Sequence, residues 1–141
     1  GIITFNSTSK KVVAKTLQIT EIKAEFTKST DTFGQMDPFV EVKVGGCYER
    51  TETADEAGKN ATFTRQLTLK FVDEDVVKFD CYDEDLKNND LIGSGEIKIS
   101  DITEEVGKTT VEVKDEKGPA GKLIVSYVST NIIKKEEPPK A

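Results

Sequence analysis

At 141 residues the chain has room for one ordinary domain with a real core and too little for two. Its net charge of −6 argues against a general nucleic-acid binder, and its 35% apolar content contains no run near the roughly 18 residues of a membrane span. Histidine is absent, which removes Ser-His and Cys-His catalytic pairs and His-rich zinc sites together.

From about residue 16 onward apolar residues recur with period two, and no stretch of helical period reaches the length of an ordinary helix, so the class is all-β. Residues 1–15 are expected as an N-terminal extension, or as an edge strand built on Val12 and Val13. Leu17, Ile19 and Ile22 open a first strand, Phe39-Val40-Glu41-Val42-Lys43-Val44 is a second, and residues 47–53 are a third. Leu67-Thr68-Leu69-Lys70-Phe71 is a fourth and Val77-Lys78-Phe79-Asp80-Cys81-Tyr82 a fifth. Gly95-Glu96-Ile97-Lys98-Ile99, Thr110-Val111-Glu112-Val113 and Leu123-Ile124-Val125-Ser126-Tyr127-Val128 complete eight. A short helical turn capped by Ser100 is expected within residues 100–107. Short strands separated by Gly, Asn and Asp clusters predict an eight-stranded antiparallel β-sandwich with Greek-key connections, spanning residues 16–129. Residues 130–141 are polar, contain proline and read as a tail or linker. Cys47 and Cys81 lack metal-ligand spacing and are expected as free thiols, with a single disulfide as the alternative. The first residues lack the apolar core of a signal peptide, so a cytoplasmic location is expected.

Two loops concentrate acid at strand ends. The first runs from Asp31 to Asp37 and closes directly into a strand; Gly34 permits a tight reversal, and Pro38 holds Asp37 toward an extended backbone. The second is Asp83-Glu84-Asp85-Leu86-Lys87-Asn88-Asn89-Asp90, in which Asp83 and Asp85 point to one side of a strand end and a returning loop brings Asp90 toward them. These five aspartates carry five of the six net negative charges. Hard carboxylate oxygens in that number suit Ca²⁺, which takes about six to eight ligands in flexible geometry, better than the strictly octahedral Mg²⁺. An EF-hand is excluded, since Asn88 and Ser94 stand where Gly and Glu are required when counting from Asp83. The competing explanation is that each aspartate caps its own turn in solvent.

Residues 31–40, with Cys81-Tyr82-Asp83-Glu84-Asp85 and Asp90-Leu91-Ile92-Gly93, resemble the C2 domain, the calcium and phospholipid module of protein kinase C, synaptotagmins and phospholipases. The resemblance covers about residues 16–129. It implies that Asp31, Asp37, Asp83, Asp85 and Asp90 ligate Ca²⁺ with help from the backbone carbonyls of Thr30 and Glu84. It also implies the permuted, type II topology, with the last strand equivalent to the first strand of synaptotagmin. Two departures stand out. The interval from Asp83 to Asp90 is one residue shorter than the common pattern, which favours two ions over three, and Asn60-Ala61-Thr62-Phe63 replaces the usual Asn-Pro-x-Trp, with Phe63 expected to fill the core position.

The function expected is calcium-dependent, peripheral binding to anionic phospholipid membranes by a cytoplasmic, monomeric signalling module. Phe33 and Leu86 at the loop tips are the expected membrane anchors. Lys43, Arg50, Arg65 and Lys70 form a candidate phosphoinositide patch, with an ordinary solvated strand face as the competing explanation. Catalysis is not expected, since Asp31-Thr32-Phe33-Gly34 is not an aspartic-protease motif and Gly93-Ser94-Gly95 is no nucleotide loop. A calcium-independent module binding a protein partner is the alternative function.

Overall fold

Alternation of apolar and polar side chains produces strands throughout the computed structural model, which describes residues 13–30 and 34–132. In chain order these are β1 (Lys15–Phe26), β2 (Pro38–Val44), β3 (Cys47–Arg50), β4 (Asn60–Phe63), β5 (Leu67–Phe71), β6 (Val76–Asp83), β7 (Asp90–Lys98), β8 (Val106–Asp115) and β9 (Gly118–Thr130). A 3-10 turn, Ile99–Asp101, lies between β7 and β8. Every pairing among the described residues is antiparallel, in the order β3-β2-β6-β7-β8-β9-β1-β4, with β5 also paired to β1. The join between β7 and β8 is narrow, a single registered pair at Ser94 and Lys114. There the curled sheet folds over, and the two halves face each other as a sandwich.

The inward set is what the period-two pattern predicts. Leu17, Ile19 and Ile22 of β1, Val40, Val42 and Val44 of β2, Leu67 and Leu69 of β5, Phe79 of β6, and Leu123 and Val125 of β9 share one core. β9 lies along β1 from Thr130 opposite Thr16 to Gly121 opposite Phe26, so the last strand and the first form the spine of one layer.

Nine strands are found among the described residues where eight are expected. The extra one, β4, has only Ala61 and Phe63 facing inward, too short an alternation to stand out, and it exists because Ile22 to Glu25 of β1 offer it a partner. β7 begins five residues earlier than expected, at Asp90. Ser100 does not cap the helical turn: it sits inside it, and the capping position is Lys98, which makes no side-chain cap. The turn is held instead by Ile99 and Ile102, both buried. Val13 is exposed and outside any strand, and Val12 lies outside the described residues. Cys47 and Cys81 are both free thiols, and burial pushes the Cys81 thiol well up from its ordinary value.

Phe63, fully buried, does fill the core position of the departed motif. Truncating it to Ala removes a whole ring from a packed interior and should destabilise the fold by about 3–5 kcal/mol, read as a lower urea midpoint with an unchanged slope. Gly95 is required for a different reason, because a Cβ there would run into the Glu112 carbonyl oxygen of β8. Gly95→Ala should therefore cost about 1–3 kcal/mol in the same measurement.

Candidate metal centre

Antiparallel pairing sorts the connections between two ends. Phe26 opposite Gly121, Glu25 opposite Asn60, and Pro38 opposite Asp83 opposite Asp90 mark one end. The segment between β1 and β2, the segment leading from β3 into β4, residues 84–89 and the β8–β9 turn therefore all emerge there.

Asp83 is the centre of this end. It closes β6 and is only 5% exposed. Its Oδ1 accepts the Asp37 backbone N–H at 2.8 Å and its Oδ2 accepts the Thr30 hydroxyl at 2.9 Å. Among the described residues no Lys or Arg forms an ion pair with Asp37, Asp83, Asp85 or Asp90. A nearly buried carboxylate is thus satisfied by neutral donors while its charge stays unpaired, a condition that favours an added cation.

Asp90 reaches the same face through an irregularity in β7. Cys81 pairs with Gly93, but Tyr82 pairs with Leu91, so Ile92 is an extra residue. Ile92 is fully buried, and Leu91 is turned outward opposite Tyr82. Without the bulge Asp90 would share the outer face; with it, Asp90 stands directly opposite Asp83. Between them the loop folds on itself: Asp85 N–H donates to Asn89 Oδ1 at 3.3 Å, and Leu86 N–H donates to Asp85 Oδ1 at 2.6 Å. Leu86 is fully exposed at the tip. Glu84 is exposed, and its N–H donates to the Asp37 carbonyl at 2.9 Å, tying the two acidic loops together.

A third connection belongs to the site and carries no sequence signal comparable to the aspartate pairs. Glu56 N–H donates to Asp37 Oδ1 at 2.6 Å, and Gly58 N–H to the Met36 carbonyl at 3.0 Å. The positive φ of Glu56 and Gly58 makes the tight turn that allows this. The string Asp55-Glu56-Ala57-Gly58 is the cue available in the sequence, an acidic turn closed by glycine.

The acceptor side chains at this end, the carboxylates of Asp37, Asp83 and Asp85 and the amide oxygen of Asn89, are hard oxygens of the kind Ca²⁺ takes. Asp31 and Phe33 lie outside the described residues, and among the described residues no three acidic side chains converge into a metal-holding group.

The four basic candidates do not share one sheet edge. Lys43 and Arg50 are on the paired strands β2 and β3, whereas Arg65 precedes β5, and Lys70 lies on β5, which pairs with β1. Lys43 lies 3.7 Å from both Glu41 and Asp80, and Arg50 stacks its guanidinium 3.8 Å over the Phe39 ring. Arg65 and Lys70 are exposed.

The family model described as C2 domain matches residues 15–118. No curated protein matches the chain. Among solved structures, one C2 domain of a plant extended synaptotagmin 1 is 21% identical, with a TM-score of 0.68 over 84% of this chain and 95% of that one. A C2 domain-containing protein from a putative elicitor-responsive gene is 18% identical, with a TM-score of 0.68 over 89% and 93%. A calcium-bound pair of C2 domains from extended synaptotagmin 2 is 14% identical, with a TM-score of 0.65 over 81% of this chain and 45% of that one. Identities this low speak for the fold alone.

The β8–β9 turn contributes an ion pair beside the site. Lys28 pairs with Asp115, whose other oxygen accepts the N–H groups of Lys117 and Gly118. The Lys28 hydrogen bond, then these amides, hold the Asp115 carboxyl below its ordinary value of 3.8. A depressed carboxyl stabilises the fold above that ordinary value, and the contribution is lost as pH falls through the lower folded value. The melting temperatures of the wild type and Asp115→Asn should accordingly differ at neutral pH and converge in acid; a gap independent of pH would refute the linkage.

Proposed function

The chain belongs to the C2 domain family, and from that premise we propose that it binds anionic phospholipid membranes in a calcium-dependent way through its acidic end. The observation that carries this reading is the register placing Asp90 opposite Asp83, with Asp37 hydrogen-bonded to Asp83 and no basic residue among the described residues neutralising any of them. We assign the ligand set to Asp31, Asp37, Asp83, Asp85 and Asp90, with the carbonyls of Thr30 and Glu84. Two Ca²⁺ suit this set. In this reading residues 16–129 form the binding unit, in the permuted topology that the pairing of β9 along β1 supports.

The residues act by charge and position. Without cation the five aspartates present about −5 and repel an anionic surface; with two ions bound the end carries about −1. Bound calcium supplies that neutralisation and leaves coordination positions for phosphate oxygens. Asp83 and Asp90 stand on paired strands, so these two need little ordering at the moment of binding. Leu86, already exposed at a loop tip, loses its apolar surface from water when it enters the headgroup boundary, and Phe33 is assigned the same part on the first loop. Arg65 and Lys70 are the pair in the basic set left open to a phosphoinositide phosphate, because Lys43 and Arg50 are engaged by their neighbours. The module would act as a cytoplasmic protein recruited to membranes when calcium rises.

Co-sedimentation with phosphatidylserine vesicles tests the switch. The protein should pellet in calcium and stay in the supernatant in chelator. Equal pelleting in chelator would point to a calcium-independent surface instead, and no pelleting in either would remove the membrane. Asp83→Asn together with Asp85→Asn should abolish calorimetric calcium binding while leaving the far-ultraviolet spectrum unchanged.

A further inference from the structure

We infer that the Thr30 hydroxyl is a positioning group for the metal centre, holding the Asp83 carboxylate so that cation affinity depends on a side-chain contact away from the cation itself. This rests on the calcium reading above and goes beyond it, since there Thr30 enters only through its backbone carbonyl.

The geometry is a clamp with one jaw on each oxygen. Thr30 Oγ1 donates to Asp83 Oδ2 at 2.9 Å, and Asp37 N–H donates to Asp83 Oδ1 at 2.8 Å. Both jaws come from the connection between β1 and β2, and both close on the last residue of β6. An ionised carboxylate has about four lone-pair directions, so two donors orient it and leave two directions for a hard cation. Because Asp83 is 5% exposed, water has little access to replace a lost hydroxyl.

Thr30 is itself fastened on the N-terminal side. Its own N–H points at Met36 Sδ, 3.4 Å away, and Met36 is fully buried. Lys28 is ion-paired to Asp115, and Thr27 N–H donates to the Ala120 carbonyl at 2.8 Å. Residues 27–30 therefore deliver the hydroxyl from a backbone tied to the β8–β9 hairpin and to the core. The β-branched Thr side chain adds a restricted χ1, so the hydroxyl is aimed before any cation arrives. Groups that orient a metal ligand in this manner commonly change affinity by about 10–100-fold when removed.

Thr30→Val keeps the shape and removes the donor; Thr30→Ser keeps the donor. In the full chain, calorimetric calcium titration should show Thr30→Val weaker by about tenfold or more, and Thr30→Ser close to wild type. A second readout uses no cation: hydrogen exchange at the Asp37 amide, whose acceptor is Asp83, should speed up in Thr30→Val and remain slow in Thr30→Ser. Equal calcium affinity in wild type and Thr30→Val would overturn the inference. If the wild type itself took up no calcium, the calcium reading would fall, and the Asp37 exchange comparison would then decide alone whether Thr30 holds Asp83.

Discussion

β6 is hydrogen-bonded to β2 on one side and to β7 on the other, and the acidic end of the molecule follows from those two ladders. The first sets Pro38 opposite Asp83 and brings Asp37 within hydrogen-bond reach of it. The second would send Asp90 to the wrong face if it ran without interruption. Ile92 prevents this by occupying a bulge and sinking its side chain into the core. Burial of one isoleucine is thereby coupled to the placement of an aspartate two residues away, and packing energy holds a charge arrangement that electrostatics alone would oppose.

Three backbone amides and one hydroxyl donate to these carboxylates. Asp37 Oδ1 accepts the Glu56 N–H, Asp85 Oδ1 accepts the Leu86 N–H, and Asp83 accepts one donor on each oxygen. Hydrogen bonds to an ionised carboxylate are stronger than neutral ones, about 1.5–3 kcal/mol each, and they orient it. They leave the formal charge in place. The orientation of these carboxylates is thus fixed while their charge has no ionic counterpart among the described residues.

The outer face of β2, β3 and β6 is organised differently. Phe39 is buried there although it lies outside the main core, because Arg50 covers one side of its ring and Tyr82 stacks on it with centroids 5.4 Å apart. Lys43 stands near Glu41 and Asp80, Ser94 donates to Asp80 at 2.6 Å, and Tyr48 donates to Glu41 at 2.7 Å. Desolvation, then the bond to Glu41, pushes the Tyr48 hydroxyl up to about 12. Cations on this face are engaged locally, whereas Asp37, Asp83, Asp85 and Asp90 lack ionic partners among the described residues, so the two regions differ in what they offer a ligand.

The all-β class, most of the strands and the inward-facing residues were legible from period two alone, because alternation is a local property of a half-buried strand. The core role of Phe63 was legible too. β4 was not, since its pairing depends on β1 more than 30 residues away in the chain. Nor were the bulge at Ile92, the Glu56 turn on Asp37 or the hydroxyl of Thr30 on Asp83, for each depends on how separate segments register against one another. The pairing that puts Lys43 and Arg50 on β2 and β3 and Lys70 on a strand bonded to β1 has the same origin, as strand assignment says which residues point outward and not which strands are hydrogen-bonded. The sequence by itself determined the chemistry of the acidic end, because the identity and spacing of carboxylates are written along the chain. Only tertiary structure decided which of these residues stand opposite one another and which donors hold the Asp83 carboxylate, because in antiparallel sheets those choices are made by register and bulges between strands.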